Sequence, residues 1–383
     1  MFETSVIEIS RTALQNNLQF IRQQVGPGTR LCSVVKGNAY GHSLPEFANL
    51  AMEFGIDYFA VYSTDEAYRL HQNLQQKADI FIMGAADGDA LEWAIENEIE
   101  VNVFDFDRLQ TAFAFARKAG KKARLHLEVE TGMNRTGFDL EELPELCQLL
   151  KQNHELFELI GLTTHFAGAE SLSNDFRIKK QMLLYSQAKD VFAEYGLVPT
   201  YCHIACSAAV MNYPHTICNM VRVGIMQYGF WPNNETFIRY SGHAGEAVNP
   251  LRRLIRWKSQ VMDVKHVKKG DFIGYGTSYL AHRNMSIAVV PVGYAHGFSR
   301  SLSNSGRVLI HGETAPVTGI VNMNVISVDI THIPGVEKGD EVVMIGRQKD
   351  KSITVASFGE MSEQLNYELL IRLPKDIPRV VVD

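Results

Sequence analysis

Between Arg30 and Ile225, short apolar runs alternate with longer segments whose apolar residues recur at helical spacing. Alternation of this kind is typical of parallel strands joined by crossover helices, and eight such strands close a barrel. The predicted strands are Leu31–Val35, Tyr58–Tyr62, Ile80–Met83, Val101–Phe104, Arg124–Val129, Leu159–Thr164, Tyr201–Ala205 and Met220–Val223. The predicted helices include Leu44–Phe54, Leu91–Glu98, Leu109–Ala119, Glu141–Lys151 and Ile178–Tyr195.

The pattern changes after about residue 235. Residues 233–250 are polar and irregular, which predicts a junction. Beyond it, β-rich runs are separated by turn sequences of the Lys-Gly-Asp type; the runs are Ile255–Lys265, Ser286–Val292, Arg307–Ile310, Val325–Ile330 and Glu341–Ile345. We therefore predict an N-terminal (β/α)8 TIM-type barrel over residues 1–240 and a mainly β domain over 241–383. For the helix Thr12–Val25, packing against the second domain is an alternative to packing against the barrel.

Composition and charge narrow the class of protein. The chain has 383 residues, of which 46% are hydrophobic and 21% charged, as is usual for globular proteins. With 37 basic and 43 acidic residues, it has no basic excess that would favour nucleic acid or an anionic membrane. No secretory signal or membrane-length apolar run is evident, so we expect a cytoplasmic protein. The five scattered cysteines indicate reduced thiols, and no metal site is expected despite Cys202, His203 and Cys206 lying close in sequence.

The first predicted strand ends at a lysine. In Val-Val-Lys-Gly-Asn-Ala-Tyr-Gly-His, residues 34–42, Lys36 follows the apolar run directly, at the strand end where barrels place their chemistry. Burial disfavours the charge of a lysine, and a partly desolvated amine can form a Schiff base with a carbonyl. A lysine that merely extends to solvent from the strand end is the alternative.

Other reactive residues follow the later barrel strands, on the same predicted rim. Arg135 lies in the loop after the fifth strand, His165 ends the sixth, Ser207 follows the seventh and Arg222 begins the loop after the eighth. Barrels often bind phosphate after strands seven and eight, where Ser207 and the backbone of Gly224 and Ile225 are suitable ligands. Alternatively, Ser207 caps a helix over Ala208–Tyr213, and both roles are compatible.

Seven motifs, in order and over nearly the whole chain, closely resemble those of alanine racemases. They are Val-Val-Lys-Gly-Asn-Ala-Tyr-Gly-His, Glu-Thr-Gly-Met-Asn-Arg-Thr-Gly, Thr-His-Phe-Ala, Asn-Met-Val-Arg-Val-Gly-Ile, Gly-Tyr-Gly-Thr-Ser-Tyr, Val-Gly-Tyr-Ala-His-Gly and Leu-Asn-Tyr-Glu. The resemblance implies a racemase that uses pyridoxal 5'-phosphate, acts on alanine or another small amino acid, and forms a homodimer with its sites at the subunit interface.

The resemblance also implies roles for individual residues. Lys36 would bind the cofactor and serve as the base for the D-enantiomer, while Tyr275 of the partner subunit would serve as the base for the L-enantiomer. Without the resemblance, the favoured interpretation of Tyr275 is a packed strand tyrosine. By the same resemblance, Arg222 and His165 would supply a positive field, and Arg222 would face the pyridine nitrogen. Arg135 and Met323 would bind the substrate, and Tyr294 and Arg300 would line its entry. The implied phosphate ligands are Tyr40, Ser207, Gly224, Ile225 and Tyr367.

Several positions depart from the family pattern. Glu128 stands where many alanine racemases have a lysine, often carbamylated, and would supply an anion beside Arg135 directly. The remaining departures, which change the charge balance near the substrate site and bear on the breadth of substrates, are Cys206 for Asn, Ile320 for Arg, Asn322 for Cys, Asn324 for Asp and His296 for Asp.

Three other functions are compatible with parts of this pattern. A broad-specificity amino-acid racemase would share every motif. A fold-related decarboxylase would pair the ring nitrogen with a carboxylate, whereas Arg222 occupies that position here. A non-catalytic protein that binds the cofactor would be a single barrel without the domain that carries Tyr275.

Overall fold

The computed structural model describes residues 3–244, 248–362 and 366–383. Residues 245–247 of the predicted junction lie outside this range, as does Leu365 of the Leu-Asn-Tyr-Glu motif. The chain forms two compact units, one of residues 12–39 and 47–253, and another of residues 1–11, 40–46 and 254–383. The described chain begins with strand β1 (Ser5–Ser10) and helix Arg11–Val25.

The first unit is an eight-stranded parallel sheet in the order β8-β7-β6-β5-β4-β3-β2-β9. A parallel bridge between Cys206 and Arg222 joins the ends of this order, so the sheet closes. All eight predicted strands are present: β2 Arg30–Val34, β3 Tyr58–Ser63, β4 Asp79–Ala85, β5 Glu100–Val103, β6 Ala123–Glu128, β7 Phe157–Thr163, β8 Tyr201–His203 and β9 Met220–Val223. The predicted barrel is confirmed.

Helices connect the strands of this unit. They are Leu44–Glu53, Thr64–Asn73, Asp89–Glu96, Phe106–Ala119, Leu143–Gln152, Asp175–Glu194, Ser207–Asn212 and Asn234–Ala244, with 3-10 turns at Leu140–Glu142, Leu172–Asn174, Pro214–Thr216 and Ile225–Tyr228. The five predicted helices are present, whereas Thr64–Asn73 was not predicted. Helix Arg11–Val25 also packs in this unit, because Asn17 donates hydrogen bonds to the carbonyls of Gln227 and Arg252. Of the two packings expected for this helix, the one within the barrel unit is present.

A chain of polar side chains crosses the barrel interior. The Tyr58 hydroxyl and His126 Nε2 both bond the Glu100 carboxylate, and His126 Nδ1 lies 2.8 Å from His203 Nε2. Strand β7 has Gly161 at this level, where a β-carbon would lie 2.1 Å from His126 Nδ1. Glycine is therefore required for the two imidazoles to meet. Burial lowers the pKa of both histidines.

The expected irregular junction is instead partly helical. Helix Asn234–Ala244 begins where the Asn233 side chain accepts a hydrogen bond from the Thr236 backbone N–H at 2.9 Å, which is an N-cap. Asn212 in turn donates to the Thr236 hydroxyl at 3.2 Å, which anchors the helix to the barrel unit. The compact units accordingly divide after Arg253, beyond the predicted boundary at 240/241.

The second unit contains a seven-stranded and a three-stranded sheet. The larger has the order β14-β13-β16-β10-β1-β18, with β17 paired to β16, and the smaller has the order β11-β12-β15. Their strands are β10 Ile255–Gln260, β11 Asp263–Val267, β12 Met285–Val290, β13 Arg307–Ile310, β14 Glu313–Pro316, β15 Ile326–Asp329, β16 Glu341–Gln348, β17 Lys351–Ile353 and β18 Arg379–Val382. Helices Val355–Ser362 and Asn366–Arg372 and 3-10 turns at Tyr294–His296 and Arg300–Leu302 complete the unit.

Two features of this unit differ from the prediction. The run Ile255–Lys265 is not one strand, because β10 and β11 belong to different sheets. The N-terminal strand β1 was not predicted, yet it lies inside the larger sheet, antiparallel to β10 and parallel to β18. The core includes Trp257, Phe298 and Phe358, whose rings pack with centroids 5.0–6.4 Å apart.

Candidate active site

Lys36 lies at the carboxyl end of β2 and begins an unusual turn. Gly37, Asn38 and Ala39 have φ angles of 63°, 56° and 53°, and Tyr40 continues the left-handed path at 51°. Residues with a β-carbon pay about 1–2 kcal/mol each for this conformation, so the turn needs stabilising contacts. Ala39 N–H donates to the Val35 carbonyl at 2.8 Å. The resulting loop directs the chain away from the strand and leaves Lys36 exposed at the rim.

A buried carboxylate that sequence reasoning missed holds this turn. Glu66, only 8% exposed, accepts hydrogen bonds from the backbone N–H groups of Gly37 at 2.7 Å and Tyr62 at 3.0 Å. It lies in the first turn of helix Thr64–Asn73, the one that the pattern did not predict. The available signal was an acidic residue just after a barrel strand.

The Lys36 amine lies in a positively charged environment. Its pKa is lowered by desolvation first and then by Arg135 and Arg222, while Glu66 opposes the shift. A lowered pKa increases the fraction of neutral, nucleophilic amine at neutral pH.

The loop after β6 carries Arg135 with its side chain exposed. The Glu130 carboxylate accepts the backbone N–H groups of Gly132 and Arg135 and so shapes the loop. Gln181, fully buried and also missed from sequence, bonds the Thr131 hydroxyl at 3.2 Å and the His165 carbonyl at 2.9 Å. Gln181 therefore ties the loop of Arg135 to the end of β7, where His165 lies.

Glu128 is buried at the end of β6. Its Oε2 accepts hydrogen bonds from Asn102 Nδ2 at 2.6 Å and Thr136 Oγ1 at 3.0 Å. Burial raises its pKa, whereas these hydrogen bonds and the charges of Arg222 and Arg135 lower it. The carboxylate thus contributes negative charge to both arginines without a hydrogen bond to either among the described contacts.

We expect Glu128→Gln to weaken substrate binding, raising KM for alanine about tenfold, because an amide replaces the carboxylate that accepts hydrogen bonds from Asn102 and from Thr136, the neighbour of Arg135 in its loop. The raised pKa also has a consequence for stability. The folded state retains its full stability below the usual carboxyl range and loses some as pH rises through the raised pKa. The Tm of Glu128→Gln should therefore exceed that of wild type increasingly as pH rises and then level off. Exposed Glu145→Gln is the control; unchanged kinetics in Glu128→Gln would contradict the role.

The positive charge of Arg222 acts on His165. The Arg222 guanidinium, 8% exposed, donates to Thr163 Oγ1 at 2.7 Å and to the Thr164 carbonyl at 2.6 Å. Both acceptors are neutral, and this fixes the orientation of the guanidinium at the ends of β7 and β9. Burial, followed by the charges of Arg222, Arg135 and Lys36, lowers the pKa of His165 to about 3. His165 is therefore neutral at physiological pH.

Ser207 and Gly224 meet at the ends of β8 and β9. The Ser207 hydroxyl accepts the Gly224 backbone N–H at 3.0 Å, and Ile225 begins the following 3-10 turn. Ser207 is itself the first residue of helix Ser207–Asn212, and Cys206 holds the cap position. The suggestion that Ser207 caps this helix is therefore wrong.

In the second unit, Tyr275 lies in a loop and not in a strand. Its side chain is 73% exposed, and the flanking Gly274 and Gly276 both have positive φ, which glycine alone adopts at no steric cost. Ile273 N–H donates to the Tyr279 carbonyl at 3.0 Å and closes the loop. The alternative of a packed strand tyrosine is wrong for Tyr275.

Tyr294 and Met323 lie on adjacent segments of this unit. The N–H of Tyr294 donates to the Asn322 carbonyl at 3.0 Å, and the N–H of Ala295 to the Met323 carbonyl at 2.9 Å. Gly293 permits this approach, since a β-carbon there would lie 2.2 Å from the Asn322 oxygen. His296, which replaces the aspartate of the family motif, accepts the Gly293 N–H at 3.2 Å through Nδ1 and thus supports the same turn.

The remaining candidates of the second unit are dispersed. Arg300 is exposed, Asn324 is exposed beside Met323, and Ile320 is half-buried. Tyr40 and Tyr367 are brought together, with ring centroids 6.2 Å apart in an edge-to-face arrangement.

Over the described ranges, no group of three or more His, Cys, Asp or Glu side chains is arranged to hold a metal ion.

Comparison with known proteins assigns the class. The family model described as "Alanine racemase, N-terminal domain" matches residues 9–232, and "Alanine racemase, C-terminal domain" matches residues 254–381. The fold and these matches define a two-domain isomerase built from a parallel barrel and a β-rich domain. The chain belongs to the alanine racemase family, which confirms the resemblance seen in the motifs.

Similar proteins span the whole chain. An alanine racemase of Leptospira interrogans is 33% identical over 382 residues, covering 99% of this chain and 96% of its own, and one of Methanococcus maripaludis is 33% identical with 97% of each covered. Among solved structures, an alanine racemase of Clostridium difficile in complex with cycloserine superimposes with a TM-score of 0.89 at 32% identity, covering 100% of this chain and 96% of its own. One from Bartonella henselae with covalently bound pyridoxal phosphate gives 0.82 at 25% identity, with 99% of each covered.

Proposed function

We propose that this isomerase interconverts L- and D-alanine with pyridoxal 5'-phosphate by a two-base mechanism. The observation that carries the proposal is the Lys36 amine, with its lowered pKa, on a barrel rim shared with Arg135, Arg222 and His165. Membership of the alanine racemase family supports it. So do two solved alanine racemases, one from Bartonella henselae with covalently bound pyridoxal phosphate and one from Bacillus anthracis with bound L-Ala-P.

The residues of the barrel rim suit the chemical groups of pyridoxal phosphate. Lys36 would hold the cofactor through its amine. The Ser207 hydroxyl with the N–H groups of Gly224 and Ile225 would bind its phosphate, which would take the place of Ser207 Oγ as the acceptor of the Gly224 N–H. The cofactor, when bound, delocalises the negative charge left on the α-carbon after proton removal. Arg222 would face the ring nitrogen; because a guanidinium does not readily give up a proton, the nitrogen stays unprotonated. Tyr40 and Tyr367 are proposed as further phosphate ligands.

The protein itself moves the proton. Lys36 would take the α-proton from the D-enantiomer, and Tyr275 of the partner subunit would take it from the L-enantiomer. Arg135 and the backbone of Met323 would hold the substrate carboxylate so that the α-carbon faces both bases. Because a tyrosine hydroxyl is a weak acid, the positive field of Arg222 would stabilise its ionised form. His165, being neutral, would add no charge to that field, in contrast to what the resemblance implies.

A homodimer follows from this mechanism, since one subunit would supply Lys36 and the other Tyr275. The high exposure of Tyr275 supports it. Tyr294 and Arg300 are proposed to line the substrate entry.

Among the described residues, no helix is long and apolar enough to span a bilayer. A cytoplasmic location, with D-alanine supplied to cell-wall synthesis, is part of the proposal.

The test is substrate profiling of the purified protein with alanine, serine and lysine. Conversion of alanine well above the others supports an alanine racemase, whereas comparable rates with serine or lysine indicate broad specificity. Release of the α-carboxylate as CO2 would point to a decarboxylase. Cofactor binding without exchange of the α-hydrogen of any substrate would indicate a non-catalytic binding protein and overturn the proposal.

A further inference from the structure

We propose that Glu66 is a positioning residue for Lys36: it fixes the left-handed turn that presents the amine and supplies a carboxylate that stabilises the amine's charge. The proposal rests on the proposed function of Lys36. Glu66 Oε1 accepts the N–H groups of Gly37 at 2.7 Å and Asn38 at 3.4 Å, and Oε2 accepts that of Tyr62 at 3.0 Å. One side chain therefore joins the ends of β2 and β3, two neighbouring strands of the rim.

The left-handed turn explains why a carboxylate is needed here. Because Gly37 and Asn38 follow the strand with positive φ, their N–H groups leave the sheet without entering a right-handed helix. Buried N–H groups without acceptors are costly, and a carboxylate has enough lone pairs to accept several. Glu66 thus stabilises the one backbone conformation that leaves Lys36 at the rim.

Charge gives Glu66 a second role. The charged and titratable groups that act on or are affected by the amine are Arg135, Arg222, His165 and Glu66. Among them, both arginines favour the neutral amine, and Glu66 favours the charged form. The balance between them sets how readily Lys36 both accepts and returns a proton, as a racemase base must.

The chain provides a matched control one residue away. Asp65 also lies in the first turn of helix Thr64–Asn73, so it shares any favourable interaction with the helix N-terminus. Its side chain, however, is 74% exposed and pairs with Arg69 at 3.6 Å. Asp65→Asn therefore removes the same charge from the same helix turn without touching the turn after Lys36.

The first measurement uses cofactor-free protein. The exposed Lys36 side chain admits an amine-acylating reagent, and mass spectrometry of the Lys36 peptide gives its labelling rate as a function of pH. We expect Glu66→Gln to shift the pKa of Lys36 further down, because the opposing carboxylate charge is lost, while Asp65→Asn follows wild type. A Glu66→Gln profile that coincides with wild type would overturn the electrostatic part of the proposal.

The second measurement uses the holoenzyme. Glu66→Gln should lower kcat for alanine about 100-fold with little change in KM, because Lys36 is displaced while the substrate carboxylate site is untouched. Glu66→Asp keeps the charge but shortens the reach, so it should lower kcat while leaving the Lys36 pKa near that of wild type. Glu66→Asp also tests the positioning role if Glu66→Gln fails to fold. Wild-type kcat in both variants would refute positioning.

These outcomes are separable from failure of the proposed function. If wild-type protein neither racemises alanine nor binds the cofactor through Lys36, the proposed function fails. The labelling experiment would still report the influence of Glu66 on the amine.

Discussion

Lys36→Ala is expected to lower the rate of alanine racemisation by roughly 10³-fold or more. The variant loses both the amine that would hold the cofactor and the base proposed for the D-enantiomer. The measurement is the initial rate of L-to-D conversion, followed by chiral chromatography. In parallel, borohydride treatment of wild-type holoenzyme should leave a reduced pyridoxyl group on the Lys36 peptide.

Lys118→Ala is the matched control for Lys36→Ala, since Lys118 is 68% exposed and pairs with Glu92 on the barrel surface. It should retain wild-type activity. Substantial activity in Lys36→Ala, or a pyridoxyl group on another lysine, would show that the catalytic amine lies elsewhere.

Tyr275→Phe should separate the two directions of proton transfer. Removing the hydroxyl removes the base proposed for the L-enantiomer and leaves Lys36 in place, so interconversion should fall by about 10²–10⁴-fold. In deuterated water, D-alanine should still exchange its α-hydrogen, whereas exchange into L-alanine should be lost. Proton NMR of the α-position measures both rates.

Tyr279→Phe, in the same loop as Tyr275, is the control because the ring of Tyr279 packs near His282 within the loop's own unit. It should exchange both enantiomers like wild type. Equal loss of exchange from both enantiomers in Tyr275→Phe would indicate a general disturbance of the site and would contradict a two-base mechanism.

The barrel was predictable because short apolar stretches, most continuous in Tyr58–Ser63 and Asp79–Ala85, alternate along the chain with helical segments, as the buried strands of a parallel barrel require. Helix Thr64–Asn73 was missed because it buries only Glu66, Ala67 and Leu70, too few apolar positions for a periodic signal. Strand β1 was missed for another reason. Its partners lie at residues 255–259 and 379–382, and no local pattern reports pairing over such separations.

The residues of the candidate site also form two groups, those that the sequence indicated and those that only the structure shows. Residues within ordered motifs, such as Lys36 and Arg222, could be proposed from sequence because both motif and strand position pointed to them. Glu66 and Gln181 act through buried hydrogen bonds to backbone and side-chain groups of loops distant in sequence. Since neither lies in a recognisable motif, only the folded structure relates them to the site.

The pairing of β1 also constrains the order of events during synthesis. Ser5–Ser10 is synthesised before the barrel strands, yet this strand pairs with β10 and β18, which are synthesised after them. The barrel strands, in contrast, are complete by Val223. The barrel can therefore fold while later parts of the chain are still being translated, but the β-rich unit is completed only when β18 has been made and pairs with β1.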